Sequence, residues 1–292
     1  MPASIDSIDQ SRIQDGQAKV NLSESLVTVP GVVANNRQNY AQDLQISIRG
    51  FGARSTFGVR GIRLYMDGIP ATMPDGQGQV SNFDLGSARS IEVLRGPFSA
   101  LYGNSSGGVI QIFTEDGPQQ RTVTPNVEFG SFDSWRLGLT AGGQGGPANY
   151  MFDISQFSTD GFRDHSSATR DLFNAKTKVA VSDDTTLTLV ANYINTPVAL
   201  DPLGLTKAQV MQNPEQAGTN AVLFNTRKSF SNIQGGLVWD KKLTDQDAIH
   251  MLSYIGSRHV TQFQAITPAA QIPPTSSGGV VDLNNQFYGA NA

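Results

Sequence analysis

The sequence predicts an α+β domain followed by a run of antiparallel β-strands of the kind that builds a transmembrane β-barrel. Three observations lead there. Residues 1–117 mix short helical and short strand patterns. Residues 122–292 carry strand segments with one apolar and one polar face. Between them, Asp116-Gly117-Pro118-Gln119-Gln120-Arg121 is a polar stretch punctuated by Gly and Pro, which marks a domain boundary.

In the first domain, Leu22 and Leu26 stand four apart, and Pro30-Gly31 stops that helix. Ser4-Ile5-Asp6-Ser7-Ile8 reads as a first strand. Ile46 and Ile48 alternate with Gln45 and Ser47. Ile62, Leu64 and Met66 alternate with Arg63, Tyr65 and Asp67, ending in an Asp67-Gly68 turn. Ile91 and Val93 open a further strand, and Val109 to Phe113 form another.

In the second domain, four apolar series stand out: Tyr150/Phe152/Ile154, Ala175/Thr177/Val179/Val181, Leu187/Leu189/Ala191/Tyr193 and Ile233/Leu237/Trp239, with Gly235 on the last apolar face. About eight strands fit the stretch. Tyr150, Tyr193 and Trp239 are expected toward strand ends, where aromatics favour the headgroup level. Ser182-Asp183-Asp184 and Thr244-Asp245-Gln246-Asp247 read as tight turns, against a long connection over 195–225. Phe287 to Ala292 does not read as a closing strand. Alternation alone serves a soluble β-sandwich equally well.

Composition narrows the function classes. Charged residues make up 16% of 292 positions and glycine supplies 30, which suits turns and strands. The net charge is −4, without a Lys/Arg run, so a nucleic-acid partner is not expected. Cysteine is absent, which excludes disulfides and thiolate metal sites. Met1 to Asp6 shows no basic and apolar signal-peptide pattern, and no run of about 18 apolar residues predicts a transmembrane helix.

Five blocks in order carry a family resemblance: Leu26-Val27-Thr28-Val29-Pro30-Gly31-Val32, then Gln45-Ile46-Ser47-Ile48-Arg49-Gly50, Leu64-Tyr65-Met66-Asp67-Gly68-Ile69-Pro70, Ile91-Glu92-Val93-Leu94-Arg95-Gly96-Pro97 and Leu101 to Ile110. Together they resemble the plug-domain signatures of TonB-dependent outer-membrane receptors. The likeness spans residues 2–117 and decides for a barrel over a sandwich. It implies a plug over 1–117 and, over 122–292, the N-terminal part of an incomplete barrel of the 22-stranded type. It also implies a signal peptide and a TonB box upstream of the first strand, about fourteen further strands downstream, and no transport by these residues alone.

The resemblance further implies the Gram-negative outer membrane as location, a monomer when full length, outer-membrane lipid around the barrel, and TonB with its inner-membrane energising complex as partner. The ligand is a ferric siderophore, another metal chelate or a cofactor. No resident cofactor or metal is implied. By position, the apical plug loops that touch ligand correspond to Arg37, Arg54, Ser55, Phe57, Met73 and Asp75. The two arginines suit an anionic ligand, while Phe57 and Met73 suit a flat organic moiety. Arg49 and Arg95 are expected to face carboxylates of the barrel wall. Gly50, Gly96 and Gly103 are expected at positive φ.

Other motifs carry less. Gly103-Asn104-Ser105-Ser106-Gly107 matches a nucleophile elbow, but a strand pattern follows where a helix is required. Gly50-Phe51-Gly52 is half a dinucleotide fingerprint, with Ser55 where the third glycine belongs. His165, His250 and His259 lack zinc-ligand spacing. No enzyme is expected. The competing class is a secreted β-rich adhesion or binding module with a plug-like head.

Overall fold

The computed structural model describes residues 4–55, 58–96, 98–103, 105–276 and 278–292. Thr56, Phe57, Pro97 and Asn104, singled out above, lie outside the described residues.

The first part is built on a five-stranded sheet. Its strands are β1 (Ser4–Asp9), β4 (Ile62–Met66), β5 (Ile69–Pro70), β6 (Ala88–Arg95) and β7 (Gly108–Thr114), ordered β1-β6-β7-β4-β5. A separate pair joins β2 (Val32–Asn35) to β3 (Gln45–Ile48). Three one-turn helices, α1 (Gln10–Gln14), α2 (Ser23–Leu26) and α3 (Ser99–Tyr102), connect them. Asp9 caps α1 by accepting from the Arg12 amide at 3.1 Å. Glu24 gathers the amides of Lys19, Val20 and Asn21 at 2.8, 3.1 and 2.7 Å, fixing the chain's entry into α2.

The apolar positions read from sequence form one core. Leu22, Leu26, Ile46, Ile62, Leu64 and Ile112 belong to a single buried cluster, each contributing about 1.5–3 kcal/mol by leaving water. The Asp67-Gly68 turn has φ of 47° and 82°, the left-handed pair that a two-residue hairpin requires. Gly50, Gly96 and Gly103 lie at φ 88°, 137° and 72°, as expected. The sequence reading missed β2, β5, α1 and α3, all too short to carry a period.

The second part is an eight-stranded antiparallel sheet, called the wall below. Its strands are β8 (Thr122–Phe129), β9 (Trp135–Gly145), β10 (Ala148–Thr159), β11 (Ala168–Ser182), β12 (Thr185–Leu200), β13 (Arg227–Lys242), β14 (Ala248–Phe263) and β15 (Val280–Asn291), each hydrogen-bonded to its neighbours in sequence. The connections at 146–147, 183–184 and 243–247 are short and share one end. Those at 130–134, 160–167, 201–226 and 264–279 share the other, and all but the first of these are longer. The longest holds α4 (Lys207–Gln212) and α5 (Thr219–Phe224), and the last holds α6 (Pro268–Gln271).

Two readings need correction. The long connection begins after Leu200 rather than at Asn195, because Asn195 and Thr196 still pair with Ser231 and Phe230. Tyr193 therefore sits in mid-strand, whereas Trp239 is close to the short-turn end of β13. Residues 280–291 form a full strand on β14, including Phe287 to Asn291.

Exposure separates a barrel wall from a sandwich. The apolar series point away from the first domain: Ile154, Ile233 and Ile255 are 55%, 58% and 67% exposed. The polar partners face inward: Asp153, Asn174 and Asn192 are 2%, 3% and 4% exposed. A sandwich in water buries the opposite face. This polarity belongs to strands in lipid around a polar interior.

Candidate functional site

Strand register aligns one inward residue per strand at the same height. Thr124, Thr140, Asp153, Asn174, Asn192 and Gln234 run in line across β8 to β13. At this height wall and first domain meet through polar groups, beside an apolar patch where Ile69 packs on Val190, Val238 and Leu252, and specific contacts follow from the polar row and its neighbours. Asn174 donates to the Ser87 hydroxyl at 3.1 Å. Arg170 donates to the Val20 carbonyl at 2.6 Å.

Near the short-turn end, buried Lys176 donates to the Thr114 carbonyl at 2.9 Å, pairs with Asp116 at 2.8 Å and lies 3.7 Å from Asp67. Lys178 reaches the other Asp116 oxygen at 2.5 Å. Burial opposes the Asp116 charge, but the two lysines outweigh it and hold the carboxyl below the usual range. Near the long-loop end, Lys228 pairs with Asp43 at 3.0 Å. Lys19 reverses the pattern by meeting Glu128 of the wall.

Most of these cations therefore belong to the wall and most of the acids to the first domain. Arg95 pairs with Asp6 at 2.5 Å and donates to the Pro30 carbonyl at 2.5 Å, both within its own domain. The β1–β6 pairing sets Ser4 opposite Arg95, which brings Asp6 within reach. Arg49 is exposed, at φ 50°, with its amide bonded to the Gly31 carbonyl at 2.9 Å.

The long-loop end holds the candidate binding site. Buried Asp201, at the start of the 201–226 connection, accepts from Asn39 at 2.8 Å, Gln42 at 2.5 Å and the Leu203 amide at 2.9 Å. Tyr40 packs on Phe157 with ring centroids 5.2 Å apart, and burial pushes its hydroxyl pKa up, with Arg170 acting against it. These contacts lock residues 39–43 to the wall. Sequence reasoning missed them, since a polar run such as Asn35 to Gln45 has no period that names its partner.

Arg37 and Ser55 line one cleft at this end, together with Gln42, Asp43, Lys228 and Gln262. Arg54 is exposed on the turn before Ser55. Met73 and Asp75 belong to a second turn, closed by the Gly76 amide on the Met73 carbonyl at 2.9 Å. The two segments are joined, because Val59 and Gly78 exchange both backbone hydrogen bonds at 2.9 and 2.6 Å. Arg60 and Asp75 pair across the seam at 3.7 Å. Ser105 is buried, its hydroxyl on the Gly103 carbonyl at 3.2 Å, and strand β7 follows it. The three histidines are dispersed: His165 meets the Thr226 carbonyl, His250 meets Asp240, and His259 meets Asp282.

Comparison with known proteins agrees with this geometry. Residues 1–109 match the family model of the TonB-dependent receptor plug domain. The vitamin B12 transporter BtuB of Vibrio vulnificus strain YJ016 is 28% identical over 164 residues, covering 55% of this chain and 26% of that protein. Among solved structures, the ferric yersiniabactin uptake receptor FyuA of Yersinia pestis superposes with a TM-score of 0.75 at 19% identity, over 99% of this chain and 44% of that one. The ferric citrate transporter FecA, unliganded, gives 0.74 at 22% identity, over 90% and 41%. The chain thus spans less than half the length of these relatives. These relatives are receptors and transporters rather than enzymes. Residues 1–109 thus match the plug domain of TonB-dependent receptors, and the strands behind them share the fold of the barrel wall that encloses the plug in the solved receptors.

Proposed function

We propose that this receptor imports a scarce small ligand, either a ferric siderophore, another metal chelate or a cofactor, by a gated step coupled to TonB and its energising complex. The observation that carries this reading is the position of the plug. It lies against the wall and presents residues 36–45, 52–55, 58–60 and 71–78 at the long-loop end, which in outer-membrane barrels faces outward. A ligand from outside meets Arg37, Arg54, Ser55, Met73 and Asp75 first, with Phe57 in the same segment of sequence. Passage then requires the plug to move. Outside the Ile69 and Tyr40 contacts its seam with the wall is polar, and polar contacts exchange for water at small net cost. Arg49 is assigned to the plug–wall seam, as is Arg95 once strand β1, which carries Asp6, separates from β6. The working form is a monomer in outer-membrane lipid. The named relatives transport vitamin B12, ferric citrate and ferric yersiniabactin, which supports the ligand class without choosing within it.

The test is uptake by Gram-negative cells expressing the receptor and lacking their own transporters, with radiolabelled cobalamin, ferric citrate and ferric yersiniabactin, with and without TonB. TonB-dependent accumulation of one of them is the expected result. Arg37→Ala with Arg54→Ala then raises the half-saturating concentration about tenfold, as loss of two charge-assisted contacts worth about 1.4 kcal/mol together requires. Accumulation that survives removal of TonB sinks the proposal.

A further inference from the structure

Acids from both sides of the plug–wall seam converge beside Gly86. Asp84, on the turn that leads into β6, and Asp153, on the inward face of β10, are both fully buried. A Cβ on Gly86 would stand 3.2 Å from one oxygen of each carboxylate and 2.7 Å from Nη2 of Arg136. The two carboxyl groups are within hydrogen-bonding reach of each other. Asp84 accepts from the Ser87 hydroxyl at 2.6 Å and from the Gly86 amide at 2.9 Å, so both of its oxygens have donors. Thr140 serves one Asp153 oxygen. The other, Oδ1 beside Gly86, has no donor among the described residues.

Few cations reach this point. Arg136 comes from two rows away on β9, passing 3.5 Å from the place of a Cβ on Gly138, and its Nη1 also lies 3.7 Å from Glu128, which pairs with Lys19. From β11, Asn174 faces the pair as a neutral amide on Ser87. Lys176, one row nearer the short-turn end, is taken up by Thr114, Asp116 and Asp67. Glu115, bonded to Gln14, adds negative charge on the plug side of Asp84. Lys19 and Arg136 are thus the two cations facing three acids, Asp84, Asp153 and Glu128. Two carboxylates that share a dry site do not both ionise, because burial and like charge act together. One proton leaves this group neutral and supplies the missing donor to Oδ1 of Asp153.

We propose that Asp84 and Asp153 share one proton in a carboxylic acid–carboxylate hydrogen bond, and that this bond is a pH-sensitive latch between plug and wall. While the proton is held, plug and wall are tied directly across the seam. Its loss sets two buried negative charges against each other, one on each side, and Arg136 neutralises only part of them because Glu128 draws on the same guanidinium. The sign follows from the protonated state being the closed one: the latch holds in acid and is lost as pH rises through the apparent value of the pair. The proposal concerns the seam alone and is independent of which ligand is imported.

The test follows proteolysis of the plug in isolated outer membranes, with each rate divided by that of an unfolded substrate at the same pH. All proteins carry Glu115→Gln, which removes the one neighbouring acid expected to titrate in the same direction. Each is first checked for heat-modifiable migration on gels, which reports a folded barrel. The parent is expected to be cleaved about fivefold faster at about pH 8.5 than at about pH 5.5. Asp153→Asn offers Asp84 an amide donor at every pH, so its cleavage stays within about twofold over that range. Asp153→Ala has no latch and is cleaved fast throughout. A parent without a pH response overturns the proposal, as does an Asp153→Asn variant that keeps the full response. Acid protection of Asp153→Ala equal to that of the parent overturns it too, because the contact then fastens nothing.

Discussion

The side-chain amide of Asn149 both donates to and accepts from the backbone of Gly117, each bond at 2.7 Å. This two-bond clamp fixes the linker where it leaves the plug, and Asp116 beside it is held by Lys176 and Lys178. A Cβ on Gly117 would stand 2.1 Å from the Tyr150 carbonyl oxygen and 2.8 Å from that of Gly143. Both obstacles are backbone, so neither yields easily.

Gly117→Ala is therefore expected to free the linker at a cost of about 1–3 kcal/mol, and Asn149→Ala at about 1–2 kcal/mol. Limited proteolysis over 115–121 checks both, with faster cleavage in each variant. Cleavage at the wild-type rate in Gly117→Ala would show that the linker does not take this path.

Lys176 and Lys178 are two residues apart on β11, yet the consequences of losing them differ. Lys176 is buried among Thr114, Asp116 and Asp67, so Lys176→Ala strands a carbonyl and a carboxylate and costs about 3 kcal/mol. Lys178 is over a third exposed, and Lys178→Ala costs under about 1 kcal/mol. Thermal midpoints of plug unfolding, followed by protease sensitivity, rank the pair.

Adjacent acids of the linker are expected to respond oppositely to pH. Burial raises the Glu115 pKa above its ordinary value, with hydrogen bonds from Gln14 and Gln10 opposing and Asp84 reinforcing the rise. Such a group favours the folded plug while protonated, and that contribution is lost as pH rises through the folded value. Asp116, held low by its lysines against burial, contributes stability above its ordinary value that is lost as pH falls through the depressed one. Glu115→Gln thus stabilises at neutral pH relative to wild type. Asp116→Asn destabilises at neutral pH and converges with wild type in acid. Melting curves between acid and neutral pH separate the two.

Arg163 staples the outer loops. Its guanidinium donates to the carbonyls of Leu203 at 2.5 Å, Pro202 at 3.1 Å and Gln216 at 2.8 Å. Burial lowers its pKa, with Asp201 and Asp164 opposing, but it remains a cation at any working pH. Arg163→Ala is expected to open residues 201–226 to protease added to intact cells. Arg163→Lys fails to restore protection, because one ammonium cannot serve three carbonyls in a fixed fork.

Much of this was legible in the sequence, for reasons particular residues show. The series Leu187/Leu189/Ala191/Tyr193 announced a two-faced strand because the side-chain period of a strand is two, and the wall obeys it. Asp67-Gly68 announced its turn because few residues tolerate positive φ. The seam was less legible. Lys228 and Asp43 lie 185 positions apart, and nothing in either neighbourhood encodes the other. Sequence named plug arginines for the seam, while the wall cations Lys176, Lys178 and Lys228 that pair there carry no signal of their partners. The joining of the segments around Ser55 and Met73 by Val59 and Gly78 was not legible, because it rests on backbone groups that every residue carries.

The pairing pattern also sets the order in which the chain gains structure. Every wall strand bonds to its neighbour in sequence, so hairpins such as β11–β12 close across a two-residue turn. The plug sheet instead joins Ser4 to Arg95 and, in parallel, Ile62 to Gly108. Distant ends must meet before those contacts repay the lost chain entropy. Loop closure therefore delays the plug sheet relative to these hairpins, and until its strands meet, their edges stay open to pairing with other chains.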